Sequence, residues 1–304
     1  MTRAELDALR HPSEASRFRL SLLVVVPILI TAVVLAFASF GIALVVVAAI
    51  LASVWFVTRL ASAIYLGNFV KVSPDNFPEI DAAVAEYKQL FGYGGQIDVY
   101  IYENGSFNAL VVPLLRRKCI LINSEVVANA QSDNEVRWIV ARFIGSLASK
   151  HYRFSWLQAV IGSIEKIMMF NMLLYPYERA VVKSGDQLAL HAINGDLASA
   201  LRASQKFMVG GPLGDRVNLS GLLRQHEAIR GSFFGWLAKC MSPFPHTTTR
   251  VVNLVRFASG RYPLQLQALL AGQDDATLAL VQRVAGTVAE AGPVASATPV
   301  RPAA

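Results

Sequence analysis

Residues 20–58 read LSLLVVVPILITAVVLAFASFGIALVVVAAILASVWFVT, a stretch of 39 residues without one charged side chain. A single helix that crosses a hydrocarbon layer of roughly 30 Å needs only about 20 apolar residues. The small and turn-prone residues Ala38-Ser39-Phe40-Gly41 divide the stretch into two halves. The sequence therefore predicts two transmembrane helices, near residues 20–37 and 42–58, joined as a hairpin.

The charged residues that flank this stretch predict its orientation. Arg10, Arg17 and Arg19 precede it, Arg59 and Lys71 follow it, and the turn between the halves carries no charge. Lys and Arg are retained on the cytoplasmic side of membranes, so we expect an integral protein of an inner or plasma membrane with both flanks and the C-terminal domain in the cytoplasm. The alternative is one tilted span followed by a helix on the membrane surface, which would put that domain on the opposite side.

The composition fits a membrane protein better than a soluble domain. Of 304 residues, 54% are hydrophobic and only 16% are charged. The net charge is +7, but the basic residues are scattered and form no stripe of the kind that binds nucleic acid. We therefore expect the lipid bilayer, and no nucleic acid, as a partner. Cys119 and Cys240 have no second cysteine at metal-ligand spacing and are expected to be reduced thiols in the core.

After residue 77 the pattern predicts a mostly α domain with a small β-sheet. Alternation predicts strands at Ile97–Tyr102 and Cys119–Ile122, and an apolar stripe predicts a central helix from about Asn134 to Lys150, capped by Asp133. Ser124 is expected to cap a short helix. Further helices are predicted at Phe77–Leu90, Trp156–Leu174, Asp186–His191, Leu197–Phe207, Leu219–Ile229 and Thr249–Phe257, with Trp156–Leu174 in the core or on the membrane surface.

The predicted organisation has six parts along the chain. They are a cytoplasmic N-terminal segment (1–19), two transmembrane helices (20–58), a linker (59–77), a metallopeptidase-like helical domain (78–262), a C-terminal helical segment (263–290) and a disordered tail (291–304).

Several short segments resemble one known family and occur in the same order. Phe107-Asn108-Ala109 precedes a predicted strand, Ile120–Ser124 forms the next strand and helix start, and Asp133-Asn134-Glu135 opens the central helix. In this respect residues 78–257 resemble the membrane zinc metallopeptidases of the CAAX-prenyl-protease and HtpX type. The resemblance implies a zincin-like α+β fold, with an edge strand near Phe107–Val112 that holds peptide in extended form.

The residues that would bind zinc in that family are replaced here. The family's central helix carries His-Glu-x-x-His, whose two imidazoles hold the metal while the Glu polarises its water. The corresponding residues are Arg142-Phe143-Ile144-Gly145-Ser146, and Ser184 stands where the family has its third ligand, a Glu. The resemblance therefore implies that Arg142, Phe143, Ser146 and Ser184 are degenerate positions, with no catalytic residue, no metal and no cofactor.

The same resemblance marks candidate residues around the former cleft. We expect Arg142 to pair with Asp186 or Glu178, because a buried charge needs a partner; the alternative is an Arg that points to solvent. The cleft candidates are Asn108, Ala109, His151, Asp186, His246 and Arg250.

The function implied is that of a catalytically inactive, membrane-anchored pseudopeptidase that binds a protein or a peptide. One alternative is a divergent but active membrane metalloendopeptidase, which would need zinc and would cleave membrane proteins. Another is a structural subunit of a membrane complex. The chain has no Gly-x-Ser-x-Gly elbow, and its half metal motif at His226-Glu227 has Arg230 where a second His would stand.

Overall fold

The structure is a computed structural model that describes residues 1–39, 42–103, 109–113, 118–154 and 168–286. The described part is mostly helical and contains one four-stranded sheet, which confirms the predicted fold class at that level. The helices are α1 (Arg3–Ala8), α2 (Ser13–Ala38), α3 (Ile42–Asn68), α4 (Pro78–Leu90), α5 (Ser124–Ala128), α6 (Asp133–Ala148), α7 (Met168–Ala192), α8 (Leu197–Val209), α9 (Gly211–Gly214), α10 (Leu219–Arg230), α11 (Phe233–Met241), α12 (Thr247–Arg261), α13 (Pro263–Leu270) and α14 (Asp275–Gly286). The strands are β1 (Val70–Lys71), β2 (Ile97–Tyr102), β3 (Ala109–Pro113) and β4 (Lys118–Asn123).

The apolar stretch forms two helices that separate at the predicted break. Helix α2 ends at Ala38 and α3 begins at Ile42, and both helices are long and apolar enough to cross a membrane. Helix α3 continues to Asn68, through the first part of the predicted linker 59–77. Arg59 does not end the helix; its guanidinium lies over the Trp55 ring, 5.9 Å from the centroid. At 1.5 Å per residue α3 is about 40 Å long, which exceeds the roughly 30 Å thickness of a hydrocarbon layer.

The sheet has the order β1-β2-β4-β3, with β2 and β4 parallel and the other two pairs antiparallel. Only β2 and β4 were predicted from the alternation pattern. One face packs on the helices of the domain, and Tyr65 and Phe69 at the end of α3 cover the other face. Both faces of the central strands are therefore buried, and β1 and β3 form the two edges.

Helices α6 and α7 lie at the centre of the domain. The residues that cap the N-termini of α6 and α5 differ from the predicted ones. Ser132, and not Asp133, caps α6: its hydroxyl accepts from the Asn134 N–H at 3.1 Å. Likewise Asn123, and not Ser124, caps α5 by accepting from the Glu125 N–H at 2.8 Å. In both cases the residue with extended backbone just before the helix takes the role, as capping requires.

Several other predictions need correction. The segment Asp186–His191 is not a separate helix but the end of the 25-residue α7. Helices α1 and α11 were not predicted at all. Cys119 is buried, whereas Cys240 is only half-buried in α11; neither forms a disulfide. Of the predicted helix Trp156–Leu174, residues 156–167 lie outside the described part of the chain, as do the predicted tail 291–304 and residues 287–290.

Candidate functional site

The positions where the resemblance implies metal ligands face one another across α6 and α7. A Cβ built on Gly185 would lie 2.7 Å from the hydroxyl oxygen of Ser146 and 3.4 Å from Cγ of Arg142. Glycine at this position therefore allows the two helices to approach closely. Arg142 and Ser146, one helical turn apart on α6, lie opposite Ser184 and Asp186 on α7. We call this region the α6/α7 cleft.

Asp186 is the centre of a buried ion cluster in this cleft. Its Oδ1 accepts from Nε of Arg142 at 2.8 Å, and its two oxygens accept from Nε and Nη2 of Arg250, each at 2.8 Å. The Asp186 side chain is fully buried and that of Arg142 is 13% exposed. The predicted pairing of Arg142 with Asp186 is confirmed, and the alternative of an Arg that points to solvent is wrong.

The electrostatics of the cluster reflect one carboxylate shared by two cations. Burial, followed by the positive charge of Arg250, lowers the pKa of Arg142, and Asp186 opposes this shift. A guanidinium nevertheless stays protonated in proteins. The Arg142 guanidinium also lies 5.1 Å from the centroid of the buried Phe143 ring. The cleft therefore holds fixed positive charge that Asp186 must balance.

A second group reaches the cleft from the N-terminal segment. Glu14, at the start of α2, is buried, and its Oε2 accepts from the hydroxyl of Ser184 at 2.5 Å. Nε2 of His151 lies 3.1 Å from both carboxylate oxygens and donates to them, since a carboxylate only accepts. The backbone N–H of His11 donates to the Ser184 hydroxyl at 2.9 Å. Ser184 is thus bonded to a segment that lies 170 positions earlier in the chain.

Sequence reasoning missed both Glu14 and His11. The one available signal is that Glu14 is the last acidic residue before the uncharged stretch and lies between Arg10 and Arg17. The ring of His11 is held neutral: burial first, and then the positive charges of Lys183 and Arg17, lower its pKa to about 4. Its Nδ1 accepts from the Ser13 hydroxyl at 2.8 Å.

Comparison with known proteins adds no relative. Neither the models of known protein families, nor the curated proteins, nor the solved structures give a match to this chain. The resemblance to zinc metallopeptidases accordingly rests on the sequence segments quoted above.

The donor atoms in the cleft do not fit zinc. Arg142 carries a permanent positive charge, the Ser184 hydroxyl is bonded to Glu14, and Asp186 is saturated by two guanidinium groups. Across the described ranges of the chain, no group of three His, Cys, Asp or Glu side chains is placed to hold a metal ion. What this arrangement can do chemically is balance buried charge and fasten the N-terminal segment to the domain.

The remaining candidate residues fall into two groups. His151 and Arg250 reach the cleft together with Arg142, Ser146, Ser184 and Asp186, as described above. Ala109 instead begins the edge strand β3, and His246 precedes α12, where its backbone carbonyl accepts from the Arg250 N–H at 3.1 Å. Within the described residues, no hydrogen bond joins the His246 ring to the cleft. Asn108 lies outside the described residues.

Proposed function

We propose that this protein is a membrane-anchored, metallopeptidase-like protein without catalytic activity that binds an extended segment of another protein. One observation carries the proposal: the positions where the resemblance implies a zinc site hold the Arg142–Asp186–Arg250 ion cluster and the buried Glu14 carboxylate. Zinc-dependent hydrolysis needs three protein ligands on the metal, an open fourth coordination position and a base near the metal-bound water. The cations of this cleft disfavour a divalent metal there.

The edge of the sheet offers a way to bind peptide without a metal. Strand β3 pairs with β4 along one side, and no other strand of the described chain pairs with its outer side. An extended peptide can add to such an edge through main-chain hydrogen bonds. Both faces of the sheet are covered, so an added strand must pair at an edge. Strand β3 has five residues and β1 has only two, so β3 is the longer of the two edges.

The docking of the N-terminal segment supports a cytoplasmic hairpin topology. Leu6 and Leu9 of this segment are buried in the main core of the domain, and Glu14 enters the cleft. The chain before the apolar stretch therefore contacts the domain that follows it. Both must lie on the same side of a membrane, which favours two crossings over one span plus a surface helix. The basic flanks favour the cytoplasm as that side.

Photo-crosslinking in native membranes tests the binding site. A crosslinking side chain at Val112 of the full chain is expected to form an adduct that survives Val111→Ala but is lost in Val111→Pro, because proline cannot pair its backbone nitrogen and interrupts strand addition. The same group at Gln131, an exposed loop residue, serves as the control. Equal adduct yield in the Ala and Pro variants, with both folded, would contradict main-chain pairing at β3.

Metal content separates this proposal from the enzyme alternative. We expect purified protein to contain far less than one zinc per chain. One zinc per chain that a chelator removes, together with chelator-sensitive cleavage of a membrane protein, would refute the proposal that the protein has no catalytic activity.

A structural role is the second candidate, and the packing of the hairpin favours it. The Phe18 and Tyr177 rings lie 5.5 Å apart, Val25 packs on Leu174, and Phe69 packs on Tyr102. The hairpin and the domain thus form one unit that could join a larger membrane complex. Adducts confined to crosslinkers on α2 and α3, with none at Val112, would favour this role.

A further inference from the structure

Helix α11 presents an aromatic face to the outside of the molecule. The exposed fractions are 66% for Phe233, 75% for Phe234 and 57% for Trp236. The rings form one cluster, since the Phe233 centroid lies 5.5 Å from that of Phe234 and 5.9 Å from that of Trp236. Gly235 faces inward, where a Cβ would overlap the carbonyl oxygen of Ile229. Exposed aromatic surface of this kind marks an interaction site.

The position of α11 is fixed relative to the apolar stretch. Nη1 of Arg179 on α7 donates to the carbonyl oxygens of Lys239 at 2.6 Å and of Ser242 at 2.7 Å. Five residues earlier on α7, Leu174 packs against Val25 inside the apolar run of α2. At 1.5 Å per residue these two levels are about 8 Å apart along α7. The C-terminal end of α11 therefore lies at the height where the apolar run meets its basic flank.

Positive charges gather around Lys183 of α7 and Lys239, which lies on α11 three residues after Trp236. Burial, and then the charges of Arg17, Lys239, Arg256 and Arg179, lower the pKa of Lys183 to about 8. Burial raises the pKa of the Glu178 carboxyl group to about 7, so its charge offsets that of Arg179 only in part near neutral pH. An anion from outside the chain would relieve this repulsion.

We propose that α11 lies in the headgroup region of the bilayer, with Phe233, Phe234 and Trp236 in the acyl boundary and Lys183 and Lys239 beside an anionic lipid phosphate. The proposal rests on the membrane location proposed above. Amphipathic helices with aromatic side chains and adjacent basic groups bind in this way. A second copy of the chain is a poorer occupant, because it would bring two clusters of like charge together.

Fluorophores at single cysteines test this placement in the full chain. The half-buried Cys240 is replaced by Ser, while Cys119 stays buried. A label is then attached at Phe234→Cys, at Leu35→Cys in the hairpin, or at Gln131→Cys in an exposed loop. Each protein is placed in nanodiscs of phosphatidylcholine with or without phosphatidylglycerol, and quenching by acyl spin-labelled lipid is compared with quenching by aqueous iodide.

We expect lipid-borne quenching at position 234 to be several-fold stronger than at position 131. Added phosphatidylglycerol should strengthen it further, and Lys183→Gln/Lys239→Gln should abolish that increase. If iodide quenches the label at position 234 as strongly as the label at position 131, the proposal is wrong. It is also wrong if neither quencher reaches position 234 because protein covers the label. An effect of phosphatidylglycerol that persists without both lysines would overturn the phosphate contact.

The label at Leu35 distinguishes two kinds of failure. If lipid quenches position 35 but not 234, only the placement of α11 fails. If lipid quenches neither position, the membrane location of the hairpin fails, and the placement of α11 fails with it.

Discussion

Helix α6 carries two buried charge clusters that look alike but are built differently. Near its N-terminus, Glu135 accepts from Nε of Arg202 at 2.7 Å and from Nζ of Lys206 at 2.5 Å. Seven residues later, Arg142 shares Asp186 with Arg250. Each cluster thus joins one carboxylate to two cations.

The difference lies in the surroundings of the cations. Lys206 lies 3.6 Å from a second carboxylate, Asp215, and the Arg202 side chain is 31% exposed and can reach water. In the cleft, the side chains of Arg142 and Arg250 are only 13% and 11% exposed. The Glu135 cluster therefore has two ways to adjust to the loss of its carboxylate, and the cleft cluster has none. The stability of the cleft therefore depends on the charge of its one shared carboxylate, Asp186. The cleft is also where the N-terminal segment docks.

The largest effect is expected from Asp186→Asn. This change leaves two guanidinium groups buried without a counter-charge, which costs about 3–5 kcal/mol. Denaturant unfolding of the full chain in detergent, followed by circular dichroism, measures the free energy of unfolding.

Glu135→Gln is the matched comparison for this variant. It should cost less, about 1–3 kcal/mol, because Asp215 still lies 3.6 Å from Lys206 and the Arg202 side chain, 31% exposed, can reach water. Equal losses in the two variants would remove the distinction between the clusters.

Acidification should weaken the fold through two neutral histidines. Burial, followed by the charge of Arg261, lowers the pKa of His191 to about 4, and that of His11 is also about 4. The unfolded chain binds these protons near pH 6.5, so stability is lost as the pH falls from about 6.5 to about 4. Each histidine contributes up to about 3 kcal/mol to that loss.

Glutamine substitutions assign this pH dependence to one region or the other. His191→Gln should remove the contribution of the domain interior to the pH dependence of the free energy of unfolding. His11→Gln should remove the contribution of the docked N-terminal segment. An unchanged pH profile in both variants would exclude the two histidines as its source.

Glu14→Gln tests how firmly the N-terminal segment is held. The amide can still accept one hydrogen bond but loses the paired contact with His151, so we expect a loss of about 1–2 kcal/mol. Proteolysis of residues 1–14 should also become faster. The control is Asp7→Asn, which removes a pair between Arg10 and the 55% exposed Asp7 side chain and should have little effect. Equal protease sensitivity in the two variants would show that Glu14 does not hold the segment.

The smallest effect is expected from Arg137→Gln. Arg137 pairs with Glu86 at 2.5 Å, but the two side chains are 31% and 51% exposed. An exposed pair contributes under about 1 kcal/mol, however short its distance. A loss as large as that of Asp186→Asn would mean that burial does not set the difference between these ion pairs.

Local patterns in the sequence predicted the elements better than their contacts. The break at residues 38–41, the strand Ile97–Tyr102 and the apolar stripe of α6 each depend on neighbours a few residues apart. The pairing of Arg142 with Asp186 was accessible because two segments resembled one family. Strand β1 was missed because two residues are too few to show alternation. Helix α11 was missed although its aromatic residues are adjacent in the chain.

The sequence by itself determined two long apolar helices, a mixed sheet-and-helix domain and a central helix without a His-Glu-x-x-His motif. Only the tertiary structure decided that Glu14 meets Ser184 and His151, which lie 170 and 137 positions away. It also decided that the rings of α11 face outward, although apolar residues alone would suggest a core helix. The physical reason is that periodicity acts within one element, whereas packing selects partners between elements that are distant in the chain.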